Sequence, residues 1–161
     1  MEITYRKADI GESYKIAELY NEFLCDLRDI GQDIYFDFEE LSVVERVELL
    51  KERFNADKGL VVVAEVDGNI VGFVSMTIIN CFMIVSSIKD IGYIEAGYVK
   101  PDYRRLGITR KLENMVEDFL KEKGIRYLEL FTLMNNEIAN NSWSKLGFIP
   151  FRQQWRKDLN E

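Results

Sequence analysis

Histidine is absent from this chain, and its absence excludes much of the usual catalytic chemistry. Histidine-based catalytic triads and most zinc sites are ruled out, because both depend on an imidazole ring. A general base must therefore be a carboxylate, a tyrosine, a lysine or a water molecule. The two cysteines, Cys25 and Cys81, are far apart and lack metal-ligand spacing. We predict that both are free thiols in a reducing compartment and that the protein holds no metal.

Long apolar runs and a basic surface are also missing. No apolar stretch is long enough to span a membrane, and the first residues show neither the basic start nor the apolar run of a signal peptide. We therefore expect a cytoplasmic protein with no membrane partner. The formal net charge of -7 argues against a nucleic-acid partner and suits a cationic one, such as an amine.

Apolar residues make up 47% of the sequence, which is enough to bury a core, and we predict a single domain over residues 1–161. Alternating apolar and polar residues predict a first strand at 3–7. Ser42 and Glu45 have the spacing of a capping box at the start of a second helix. The first helix has a predicted buried stripe of Ile16, Leu19, Tyr20, Phe23, Leu24 and Leu27.

Two further segments leave alternatives open. Asp67-Gly68 predicts a hairpin turn between strands at 60–66 and 70–79. Residues 80–90, which follow, extend the second of these strands, form a mobile flap or lie in a dimer interface. Residues 148–159 are typical of one strand, which pairs either within the chain or with another subunit, so that a homodimer is possible.

A stretch from a strand at 91–99 into a helix ending near Gly124 is the most informative part of the chain. Pro101 ends the strand, because proline cannot donate a ladder hydrogen bond. The basic turn at 104–107 precedes a helix with one apolar face. Such a loop directs free backbone N–H groups and the positive end of a helix dipole at one spot, which suits a phosphate. The alternative is a plain basic turn before a core helix.

Two motifs identify a family. Arg104 and Gly107 fit Arg/Gln-x-x-Gly-x-Gly/Ala, with Thr109 at the last position. The segment 136–148 matches Asn-x-x-Ala-x-x-Leu-Tyr-x-Lys-x-Gly-Phe, with Trp143 at the tyrosine position. On these motifs, which occur in the right order around a predicted strand at 127–133, the chain resembles the GNAT family of N-acetyltransferases.

The resemblance implies an α/β fold of the α+β kind. Its central sheet is mixed and mostly antiparallel, with six to seven strands, a splayed parallel pair in the middle and four helices on its faces. The implied co-substrate is acetyl-CoA, whose pantetheine arm fills the gap between the splayed strands. The implied reaction transfers the acetyl group to a primary amine by direct attack in a ternary complex, without a metal.

The resemblance also implies which residues bind the coenzyme. They are Gly97, Tyr98, Val99, Arg104, Arg105, Leu106, Gly107, Ile108, Thr109, Arg110, Asn136 and Trp143. Two of them have a structural alternative. Asn136 has the position of a helix N-cap, and the position of Trp143 favours a core aromatic in the last helix.

Glu95 is the candidate general base, because it lies on the strand that would flank the thioester. It would share a sheet face with Gly97 and Val99 unless a bulge reverses the alternation. Tyr98 is the candidate general acid, with Tyr103 as an alternative. A tryptophan at the family's usual tyrosine position cannot fill that role, since an indole N–H is far less acidic than a phenol.

The acceptor is predicted from an acidic and aromatic segment at 33–40. Asp33, Tyr35 and Phe36 would form a substrate-side wall, although a loop with aromatics packed into the core is an alternative. The acidic character favours a small cationic amine, such as a polyamine or aminoglycoside, over a peptide N-terminus or lysine. A catalytically silent acyl-CoA-binding module and a purely structural or interaction domain remain alternatives.

Overall fold

The computed structural model describes residues 2–55 and 57–160, which divide into two compact units, Met1–Phe131 and Thr132–Glu161. In its described part, the first unit contains the strands β1 (Thr4–Lys7), β2 (Gly59–Val66), β3 (Asn69–Asn80), β4 (Asp90–Val99) and β5 (Leu128–Glu129). The same unit holds the helices α1 (Ser13–Gly31), α2 (Val43–Leu50) and α3 (Ile108–Glu122), and the second unit holds α4 (Glu137–Lys145). The implied α+β class is confirmed, while the single domain stays a prediction.

The sheet of the first unit is mixed. Its strand order is β1-β2-β3-β4-β5, and every neighbouring pair is antiparallel except β4 and β5. That parallel pair is short, because only Gly92 with Leu128 and Tyr93 with Glu129 are in register. β4 continues for six residues, 94–99, past its last pair with β5. The parallel strands therefore pair at one end only.

Two details of the sheet differ from the prediction. Among the described residues it has five strands instead of six or seven, and its parallel pair lies at the edge instead of the middle. The strand predicted at 148–159 does not form. Every residue from 149 to 160 is exposed, so no buried face offsets the entropy of ordering a strand there. Pro150 also removes one backbone donor from that segment.

The core joins the helices to the two faces of the sheet. On one face α1 packs against β3 and β4, and the core cluster there comprises Ala8, Ile16, Ala17, Leu19, Leu50, Val61, Val63, Ile70, Phe73, Ala96 and Tyr98. α3 also packs against β2, β3 and β4, and it buries Ile108, Leu112, Val116 and Leu120. None of the helices in the described ranges is both long and apolar enough to cross a membrane.

Local signals in the sequence are reproduced closely. Ser42 caps α2, and Glu45 returns the bond by accepting the Ser42 backbone N–H at 2.8 Å. Asp67 and Gly68 both have positive φ, at 49° and 77°, which is the geometry of a tight hairpin turn. Residues 81–89 form a loop between β3 and β4.

Candidate active site

β4 carries a bulge at the candidate base. Ser75 of β3 pairs with Ala96, whereas the next residue, Met76, pairs with Ile94. Glu95 is therefore the extra residue on β4. A bulge of this kind shifts the alternation of side chains between the two faces of the sheet.

The residues beyond the bulge point to alternating sides. Tyr98 belongs to the core cluster that contains α1 residues, so Gly97 and Val99 face the other side. On that side Val99 lies beside Ile108, the first residue of α3. The γ-carbons of both would contact a Cβ placed on Gly72, at 3.1 and 3.5 Å.

Glu95 itself is held on the α1 side. Arg53 donates to its carboxylate twice, from Nε at 2.7 Å and from Nη2 at 3.3 Å. The hydroxyl of Thr77 on β3 donates to Oε2 at 3.0 Å. Glu95 therefore does not share a face with Gly97 and Val99, because the bulge intervenes. The shared face is predicted only for a strand without a bulge, and β4 has one at Glu95.

Arg53 reaches Glu95 from a 3₁₀ helix at Lys51–Phe54, directly after α2. Its backbone packs against Gly59, where an added Cβ would lie 2.4 Å from the Arg53 carbonyl oxygen. The charges of Arg53 and Glu95 both act on the phenol of Tyr20 in α1. Burial raises the pKa of the Tyr20 phenol, Arg53 opposes that rise, and Glu95 adds to it.

This cluster can move a proton. The Glu95 side chain is fixed by an arginine and a threonine, yet 26% of it is exposed, so an acceptor nitrogen or a water molecule can reach it. Sequence reasoning missed Arg53 and Thr77. Thr77 lies one strand away in the sheet, and Arg53 is 42 residues distant in sequence, so neither has a local signal. The described residues contain no group of three or more His, Cys, Asp or Glu side chains that could hold a metal.

The predicted coenzyme loop leads into α3. Gly107, the N-cap of α3, has a φ of 76°, a left-handed conformation that glycine adopts without a Cβ penalty. Among the described residues, no side chain caps it. Because an α-helix leaves its first N–H groups without an acceptor inside the helix, those of Ile108 and Thr109 can bond an anion. The exposed members of the loop and first helical turn are Arg104, Arg105, Leu106, Gly107 and Arg110.

Arg104 is turned toward α1. Its Nε donates to the Val99 carbonyl at 2.9 Å, and its Nη2 donates to the Asp26 carboxylate at 2.9 Å. Its guanidinium carbon lies 5.5 Å from the centre of the Tyr98 ring. The coenzyme contact predicted for Arg104 from the motif stays a prediction, and the structure shows a second use for this side chain.

Tyr98 is buried, with 7% of its surface exposed. Burial above all, followed by the charges of Asp26 and Glu22, raises the pKa of Tyr98 to about 12. A phenol with so high a pKa is a poor proton donor, so this geometry favours a structural role over the predicted general acid.

The predicted residues of the second unit have structural roles within that unit. Asn136 caps α4 by accepting the Ala139 N–H at 3.1 Å, and it is 8% exposed. Trp143 packs edge-on against Phe148, with ring centres 5.4 Å apart. Both contacts match the structural alternatives, and the coenzyme contacts of these two residues stay predictions.

The predicted substrate wall is built around a short turn. Asp33 accepts the Tyr35 backbone N–H at 3.0 Å and so caps the 3₁₀ helix Ile34–Phe36. The Tyr35 side chain is largely exposed, whereas Phe36 is half-buried. Contact of these residues with an acceptor stays a prediction.

Comparison with known proteins connects this geometry to a family. The chain is 33% identical over 69 residues to N-alpha-acetyltransferase 30 of Schizosaccharomyces pombe, a match that covers 43% of this chain and 46% of that protein. The chain thus spans less than half the length of this curated relative. Among solved structures, a Trypanosoma brucei acetyltransferase aligns with 25% identity and a TM-score of 0.68, over 98% of this chain and all of that one.

A second solved structure is AAC(6')-Iy in complex with a bisubstrate analogue, CoA-S-monomethyl-acetylneamine. It aligns with 18% identity and a TM-score of 0.78, over 98% of this chain and 99% of that one, and it shows that the fold is shared. The family model of the acetyltransferase (GNAT) family matches residues 16–148. That match takes in most of the sequence, and the chain therefore belongs to the GNAT family of acetyltransferases.

Proposed function

We propose that this protein is an acetyl-CoA-dependent N-acetyltransferase that acts on a primary amine of a small cationic acceptor. The observation that carries the proposal is one continuous segment of a GNAT-family chain. It runs from the fixed carboxylate of Glu95, along the end of β4 that β5 does not reach, to the first turn of α3. A base on β4 and an anion site at the start of α3 are thus held on one continuous segment of the chain.

The residues present fit the coenzyme. The N–H groups at the start of α3 suit its pyrophosphate, with Gly107 making room for close approach of the backbone. Beyond Tyr93, β4 has no ladder partner on its β5 side in the described sheet, so its backbone can bond the amides of the pantetheine arm. A solved structure of the same fold holds a CoA-linked bisubstrate analogue, which supports coenzyme binding by this chain. The bound coenzyme would supply the acetyl thioester.

The chemistry assigned to the chain itself is proton transfer and charge stabilisation. Glu95 accepts, directly or through a water, the proton that an acceptor ammonium must lose before its nitrogen attacks. A backbone N–H near Val99 donates to the carbonyl oxygen as negative charge develops there. The new bond joins nitrogen to the acetyl carbon, the carbon–sulfur bond breaks, and the second proton that the nitrogen loses passes to the departing thiolate, directly or through water. The thiolate can leave without an enzyme acid, because it is far less basic than an alkoxide.

The acceptor class rests on charge and on fold neighbours. The net charge of -7 favours a cation, and several neighbours are aminoglycoside acetyltransferases by name. A peptide amino terminus is the second candidate, favoured by the match to an N-alpha-acetyltransferase. The catalytically silent acyl-CoA-binding module remains the alternative from another class. The cytoplasmic location and the possible homodimer stay predictions.

The test is release of the coenzyme A thiol from acetyl-CoA across a panel of polyamines, aminoglycosides, amino acids and short peptides. Thermal stabilisation of the protein by acetyl-CoA is measured in parallel. Release with one amine class is the expected result, and it would identify the acceptor. Stabilisation without release would favour the silent module. The absence of both stabilisation and release would overturn the proposal.

A further inference from the structure

We propose that Arg104 and Asp26 form a latch, meaning the ion pair and its bond to the Val99 carbonyl, that fixes the coenzyme-binding end of β4 against α1. Arg104 would then be a positioning residue and not a phosphate ligand. The inference rests on the proposed function, since it concerns how the same coenzyme site is held in shape.

The side chain of Arg104 is already engaged by contacts within the protein. Its guanidinium bonds a carboxylate on one side and a main-chain carbonyl on the other, both at 2.9 Å, and it lies over the Tyr98 ring. The bond to Asp26 joins segments that are 78 residues apart in sequence. To bind a phosphate as well, Arg104 would have to give up the Asp26 carboxylate or share its charge with it.

One face of α1 presents two carboxylates to the end of β4 and the loop that follows it. Glu22 and Asp26 are separated by one helical turn and so lie on one face of α1. Glu22 pairs with Lys100 at 3.4 Å, and Asp26 accepts from Arg104 at 2.9 Å. Two carboxylates of α1 thus pair with two cations that follow the end of β4.

The position of the latch gives it a function. Val99 is a predicted contact of the pantetheine arm, and Arg104 opens the loop that leads to Gly107 and α3. Fixing the Val99 carbonyl and the start of the loop before the coenzyme arrives lowers the ordering cost of binding. Phosphate recognition then falls to the N–H groups at the start of α3.

Two thioester donors separate the latch from a phosphate contact. Acetyl-CoA carries the phosphates, whereas acetyl-pantetheine has the same thioester arm and none of them. We would measure kcat and KM for both donors with Arg104→Gln, Asp26→Asn and the double variant. The latch predicts that each single variant raises the KM of both donors, by about threefold for Asp26→Asn and about tenfold for Arg104→Gln. The double variant should be no worse than Arg104→Gln alone, because both changes remove one interaction.

Asp29→Asn is the matched control, since it removes another carboxylate from α1, one that is 74% exposed and paired with Arg28. It should change neither KM. Thermal melting checks that each variant folds. If Arg104→Gln does not fold, Arg104→Lys replaces it, because lysine keeps the charge but cannot make both bonds.

Two results would overturn the latch. One is a KM increase in Arg104→Gln that is confined to acetyl-CoA, which would make Arg104 a phosphate ligand. The other is an Asp26→Asn variant that binds acetyl-CoA as well as or better than the unmodified protein. Failure of the unmodified protein to bind either donor is a different outcome, and it would overturn the proposed function and the latch with it.

Discussion

Replacing Glu95 with glutamine removes the carboxylate that Arg53 and Thr77 hold and leaves a side chain of the same shape. If Glu95 is the general base, kcat should fall about 100-fold or more, while the dissociation constant of acetyl-CoA should stay unchanged. Steady-state kinetics with the acceptor from the amine panel measure the first, and calorimetry the second. Glu122→Gln, an exposed change on α3, is the control. An unaltered kcat in Glu95→Gln would remove Glu95 from the mechanism.

Arg53 offers a second test at the scale of one residue. Arg53→Lys keeps the positive charge but loses the two-point contact with Glu95. We expect kcat to fall about tenfold with little change in the KM of acetyl-CoA, because the base loses its fixed orientation. A variant that lowers stability in urea unfolding but keeps kcat would show that the pair serves only the fold.

At this scale the sequence proposes residues but not their surroundings. Glu95 is proposed from its place on a predicted strand, and Asn136 from the second GNAT motif. The sequence raises a bulge near Glu95 only as a condition, because the position of a bulge depends on the register against β3. The contacts of Arg104 with Asp26 were missed for a similar reason, since a local motif cannot say which distant side chain will compete for a guanidinium.

Gly107 sets the junction between the loop and α3, and it has a natural control in the hairpin of β2 and β3. Gly107 and Gly68 have φ values of 76° and 77°, and a Cβ on either would lie more than 4 Å from the atoms of the described residues outside its own chain neighbours. Gly107→Ala and Gly68→Ala should therefore each lower the free energy of unfolding by about 1 kcal/mol through backbone strain alone. Only Gly107→Ala should also weaken acetyl-CoA binding.

Urea unfolding and calorimetry of the two alanine variants measure these quantities side by side. Equal loss of stability with unchanged acetyl-CoA binding in both variants would support the plain-turn alternative for residues 104–107.

Elements with local signals, such as α3, the capped α2 and the hairpin, were predicted from sequence. The strand predicted at 127–133 was shortened to Leu128–Glu129 and the one at 148–159 did not form, since a strand depends on partners that its own sequence does not specify.

The stability of the whole molecule should depend on pH through one buried carboxyl group. Glu113 of α3 is 3% exposed, and burial, together with a hydrogen bond to Glu117, raises its pKa from 4.5 to about 7. The unfolded chain releases this proton near pH 4.5, whereas the folded protein keeps it until about pH 7. The stabilisation from holding the proton is therefore fully present below pH 4.5 and is lost as the pH rises through 7.

Glu113→Gln should remove this loss, because glutamine stays neutral and can still donate to Glu117. We expect the variant to exceed the unmodified protein in unfolding free energy by about 3 kcal/mol at pH 8, with the advantage gone near pH 4, as followed by urea unfolding across that range. Glu12→Gln is the control: Arg6 lowers the pKa of Glu12 to about 2, so its loss should shift the curve evenly between pH 5 and 8. Parallel curves for Glu113→Gln and the unmodified protein would mean that Glu113 is ionised when buried, with its charge balanced by neighbours on α3 such as Lys121.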